Sequence, residues 1–147
     1  MPEIRSAHAA VSLLVATLSW SAFAAEPATV TNIPTANLAW DETEEGVAFA
    51  ALVGDRFVES YMAMVRLPAG LISPPHVKSA NMFGVVISGT ISHLAIDSDP
   101  SDEILLPEGS FYQVPAGLAH VSKCVSETDC VTFLYQDGKF DFLPTTQ

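Results

Sequence analysis

From residue 38 onward, apolar residues fall in short runs, each cut off by glycine, proline, asparagine or aspartate. Residues 47–53 stop at Gly54-Asp55, and residues 60–67 stop at Pro68-Ala69-Gly70. Leu71-Ile72 leads into Pro74-Pro75, and residues 82–87 run to Ser88-Gly89. Residues 90–96 end in the acidic loop Asp97-Ser98-Asp99-Pro100, 104–106 meet Pro107-Glu108-Gly109, and 111–114 meet Pro115-Ala116-Gly117. Residues 121–125 and 131–136 flank a polar tip. Runs of this length, rich in β-branched and aromatic residues and spaced by turn signals, predict about nine short strands. No stretch beyond the first residues keeps a helical period. The predicted class is all-β. A small β-protein must cover or close its sheet edges, and a jelly-roll barrel does so. Tyr61, Phe83, Phe111, Tyr112, Phe133 and Tyr135 are expected in the core or barrel lining.

The first residues behave differently. Arg5 precedes a mostly apolar stretch at 9–18, and Ala22-Phe23-Ala24 fits the small-x-small cleavage rule. The stretch is shorter than the roughly 20 residues a membrane span needs. Residues 1–25 are therefore expected to be an export signal, cleaved after Ala24 or Ala25, with no membrane insertion afterwards. Residues 26–37, with several Thr, Pro and Asn, read as an N-terminal arm, and 38–147 as one barrel domain. The expected location is periplasmic or secreted.

Charge narrows the partners. The chain has 17 acidic against 6 basic residues, a net charge of −11. Such a surface repels nucleic acid and anionic membranes. Cys124 and Cys130, with five residues between them, do not match a zinc CxxC pair. In an exported protein an even count at short separation predicts a disulfide across the tip 125–129.

Two segments carry candidate chemistry. The first is GLISPPHVKSANMFGVVISG, Gly70 to Gly89, and the second is GSFYQVPAGLAHVSKC, Gly109 to Cys124. Together they resemble the paired motifs of the cupin superfamily, in particular small secreted single-domain members with no assigned function. The second motif matches at Gly109, Pro115, Gly117 and His120, with Cys124 where the family has Asn. The first matches at Gly70, His76 and Gly89. It departs at the second histidine, which is Lys78, and at the glutamate, which is Met82. The resemblance implies a double-stranded β-helix and, in metal-binding members, a site of three His and one Glu.

Here two imidazoles remain, His76 and His120. A lysine ammonium has no lone pair for a metal, and the soft thioether of Met82 favours copper over iron or manganese. The usual iron or manganese site is therefore not expected; a divalent transition metal or copper remains open, with His76, Met82 and His120 as candidate ligands. In a strand, residues i and i+2 share a face, so His76 and Lys78 project together. Lys78, Asn81 and His93 are candidate pocket residues, Lys78 either as a fixed cation for an anion or as a lysine with a lowered pKa. Asn81 also reads as a turn residue, and His93 as core filler or solvent-facing. The leading functional reading is an exported barrel that binds a small ligand, anions included. The alternatives are a metal-dependent oxygenase or isomerase, a copper site, or an oligomer-forming module, with the oligomeric state left open and a homodimer one option. The sequence makes no decision between enzyme and binding protein.

Overall fold

Alternation with a period of two decides which side chains enter the interior. In the computed structural model, which describes residues 28–145, the strands are β1 (Trp40–Glu42), β2 (Ala48–Val53), β3 (Tyr61–Leu67), β4 (His76–Val77), β5 (Met82–Ser88), β6 (Ile91–Ala95), β7 (Phe111–Val114), β8 (His120–Cys124), β9 (Cys130–Gln136) and β10 (Leu143–Pro144). They pair antiparallel into a six-stranded sheet, β1-β2-β3-β9-β5-β7, and a four-stranded sheet, β10-β4-β8-β6. This is the all-β, double-stranded β-helix that the sequence predicts.

The inward rows are regular. Tyr61, Ala63 and Val65 of β3 are buried, as are Met82, Gly84 and Val86 of β5, Tyr112 and Val114 of β7, and Cys130, Thr132, Leu134 and Gln136 of β9. The same alternation corrects one expectation. Phe111 is 62% exposed, and Phe83 and Tyr135 stack on the outer face with ring centroids 6.0 Å apart. Only Tyr61 and Tyr112 of the six aromatic candidates are buried.

Two local features hold the layers together. Gly84 and Tyr112 are cross-strand partners, and a Cβ at Gly84 would fall inside the Tyr112 ring. The glycine leaves the space into which the tyrosine folds. Cys124 ends β8 in one sheet, Cys130 begins β9 in the other, and the two form the expected disulfide. Gly89, at φ +80° in the β5–β6 turn, lies against Cys130, so both its conformation and its missing side chain are needed.

Some predicted strands are shorter than expected. Leu71-Ile72 and residues 104–106 contribute only isolated bridges, Ile72 to Lys123 and Leu106 to Ile91. Pro74, Pro75 and Pro107 remove backbone donors nearby, which limits ladder growth. The expected export signal lies outside the described residues. Of the expected arm, residues 28–34 are exposed coil and Thr35–Asn37 form a single 3-10 turn. Among the described residues no helix is long and apolar enough to cross a membrane.

Candidate functional site

The four-stranded sheet brings the histidines together. His76 on β4 and His120 on β8 are direct register partners, both buried, with ring centroids 4.2 Å apart. His93 on β6 pairs with Ser122 on β8, so its ring comes within 6.0 Å of His120 and 4.5 Å of Tyr112. The His76 Nδ1–H donates to the Pro74 carbonyl at 3.0 Å, and the His120 Nδ1–H to the Leu118 carbonyl at 3.0 Å. A carbonyl can only accept, so each Nε2 carries the lone pair. His93 Nδ1 lies 2.9 Å from the Ser122 hydroxyl. The Nε2 atoms of His93 and His120 are enclosed and have no hydrogen-bond partner among the described residues.

Lys78 follows His76 on the same face and is 7% exposed. Its Nζ donates to the Asp141 carbonyl at 2.6 Å and lies 4.3 Å above the Phe140 ring. Among the described residues it forms no ion pair. The Asp141 carboxylate instead accepts the Ser79 N–H at 3.0 Å. The segment 140–142 thus straps the site: Phe140 packs on Phe49 at 5.2 Å and Phe142 stacks on His76 at 4.2 Å, while β10 pairs with β4.

These groups border a cavity of about 290 Å³. Most of its wall is apolar, including Val47, Val65, Leu67, Ile91 and Leu134, with Met82 from β5. The polar side chains at its wall include Lys78, His76, His93 and the Tyr61 and Tyr112 phenols, with exposed Glu45 on its rim. The volume is roughly twice the ~150 Å³ apolar cavity that accommodates benzene.

Enclosure controls the charges. Burial pulls His76 down to about 4, against a partial rise from the Pro74 carbonyl and a further lowering by His120 and Lys78. Burial, then His120 and His76, bring His93 to about 3. Burial also lowers His120. All three imidazoles are therefore neutral at pH 7. Burial brings Lys78 down to about 8, and the Asp141 carboxylate only partly offsets this. The Tyr112 phenol is pushed up to about 12 by burial despite its bond to Thr132.

The arrangement does not fit the family's three-His, one-Glu metal. Lys78 stands at one ligand position with protons on its nitrogen, and Met82 replaces the carboxylate with a thioether. Among the described residues no group of three or more His, Cys, Asp or Glu side chains is arranged to hold a metal ion. Met82 belongs to the six-stranded sheet, while His76 and His120 belong to the four-stranded one.

Of the candidate residues, the structure brings His76, Lys78, Met82 and His93 to the cavity wall, with His120 against His76 and His93. Asn81 is elsewhere, because both ends of its amide are bonded to the fold. Its Nδ2 donates to Asp137 at 2.6 Å and its Oδ1 accepts the Ala116 N–H at 2.9 Å, tying the Pro115-Ala116-Gly117 turn to the end of β9. Sequence reading missed the strap. Its signal was the alternation Phe140-Asp141-Phe142, which places two aromatics on one face.

A family model described as a domain of unknown function (DUF4437) matches residues 43–147. No curated protein matches the chain. Among solved structures, KdgF from Halomonas sp. superposes with a TM-score of 0.58 at 15% identity, covering 73% of this chain and 94% of that one. An RmlC-like cupin from Shewanella frigidimarina gives 0.57 at 13%, covering 74% and 92%. The polyketide cyclase RemF from Streptomyces resistomycificus gives 0.63 at 11%, covering 81% and 87%. At these identities the likeness is one of fold.

Proposed function

The chain belongs to the DUF4437 family and has the cupin fold, and from that premise we propose that its barrel binds a small molecule with an apolar body and an anionic head. One observation carries this reading: a buried lysine that forms no ion pair among the described residues borders an apolar cavity. Burying an unpaired charge is costly, and a ligand carboxylate would supply the missing counter-ion. The neutral imidazole of His76 beside it adds a polar contact without competing charge. The apolar walls would take a body of up to about ten carbons, judged against the ~150 Å³ benzene cavity. The disulfide is the kind of bond that persists in an oxidising compartment, in keeping with action outside the cytoplasm. The fold itself decides nothing here, since one fold hosts many activities.

Calorimetric titration with octanoate and with octanol tests the reading. Octanoate should bind about tenfold tighter than octanol, as expected for a charge-assisted hydrogen bond. The preference should disappear in Lys78→Met. Equal affinities for the two in the native protein, or no binding of either, would defeat the reading.

A further inference from the structure

We propose that Lys78 is also a carbonyl-capturing amine, condensing with an aldehyde or ketone borne on a small apolar body to form an imine inside the cavity. This rests on the reading of the cavity as a small-molecule site and adds a covalent class of ligand to it. The Lys78 side chain lines the cavity, and its one hydrogen bond among the described residues, to the Asp141 carbonyl at 2.6 Å, leaves further bonding directions on the nitrogen. The groups facing it carry little compensating charge. The Asp141 carboxylate is engaged by the Ser79 N–H, His76 and His120 are neutral at pH 7, and Phe140 and Phe142 offer only ring faces. An apolar enclosure of this kind favours the uncharged, nucleophilic amine.

Lys78 is 7% exposed and its side chain borders the apolar walls, so a carbonyl compound held in the cavity lies beside the amine. In the reaction the nitrogen lone pair attacks the carbonyl carbon and a C–N bond forms. The two nitrogen protons pass to the carbonyl oxygen, which leaves as water as the C=N bond closes. Amine plus carbonyl gives imine plus water, with no oxidant or reductant. The apolar walls exclude the bulk water that would reverse the step.

The sequence makes the test clean, because its lysines are Lys78, Lys123 and Lys139 alone. Lys123 is tied to Glu103 at 2.8 Å and Lys139 is exposed. The full chain, with its disulfide intact, is treated at pH 7 with octanal and sodium cyanoborohydride, which fixes the imine as a secondary amine. Peptide mapping then follows each lysine in time, and octanoate affinity is measured on the same batch. Lys78 should be octylated about tenfold or more faster than either other lysine, and saturating octanoate should suppress its reaction. If Lys123 or Lys139 reacts as fast as Lys78 while octanoate still binds, the covalent inference falls and the binding site stands. If Lys78 reacts first but octanoate does not bind, the anion reading falls and the capture stands. If octanoate fails to bind and Lys78 is silent, both fall.

Discussion

Lys78→Met should make this protein more stable, and the gain should depend on pH in a defined direction. In the folded chain the amine titrates at about 8 rather than 10.5, because burial penalises its charge. A depression of that size corresponds to about 3 kcal/mol of lost folding stability wherever both states hold the proton. Below pH 8 the whole penalty is present. Between pH 8 and 10.5 the unfolded chain keeps the proton and the folded chain has released it, so stability rises with pH. Methionine keeps nearly the same length without the charge, and it gives up the hydrogen bond to the Asp141 carbonyl, worth about 1 kcal/mol. The variant should therefore gain about 2 kcal/mol at pH 6 and, once the charge penalty has gone near pH 10.5, be about 1 kcal/mol less stable than the parent. Urea unfolding of both proteins at pH 6, 8 and 10, with the disulfide intact, reads this directly. A variant less stable than the parent at pH 6 would refute the reasoning, since the lysine would then be a structural anchor for the strap and not an uncompensated charge.

Other outcomes follow from the same geometry. Gly84→Ala puts a methyl group into the Tyr112 ring and should destabilise by about 2–4 kcal/mol with a changed near-UV spectrum; an unchanged urea midpoint would contradict the close approach. Replacing Cys124 and Cys130 together with serine should lower stability by about 2 kcal/mol, the value for so short a loop, and native material should resist alkylation until reduced. Octanoate binding at pH 8 should take up about half a proton as Lys78 becomes fully charged, seen calorimetrically as a dependence on buffer ionisation enthalpy; a buffer-independent heat would exclude Lys78 as the counter-ion. Lys78→His with Met82→Glu should acquire iron(II) or manganese(II) affinity that the parent lacks, and micromolar binding by the parent through His76 and His120 would overturn the description of the ligand set.

The fold was legible because its signals are local. Turn glycines and prolines, short alternating runs and the two spaced motifs all lie within stretches of about twenty residues. Cys124 and Cys130 were readable for the same reason. The site was legible only where motif spacing reached it, at His76, Lys78, Met82 and His120. His93 was ambiguous because its direction depends on the register of β6 against β8, which sequence alone leaves open. Asn81 was open between turn and pocket because a turn amide and a pocket amide look identical until their partners, Asp137 and Ala116, are known. The strap at Phe140, Asp141 and Phe142 lies more than sixty positions from Lys78 and meets it only through tertiary folding.

The most direct measurement is a crystal structure of the protein with 8-bromooctanoate, the bromine located by its anomalous scattering. The bromine should lie inside the barrel among Val65, Leu67 and Leu134, with a carboxylate oxygen within hydrogen-bond distance of Lys78 Nζ. A bromine found only on the outer surface, or a chain lying in the cavity with its carboxylate turned away from Lys78, would contradict the account.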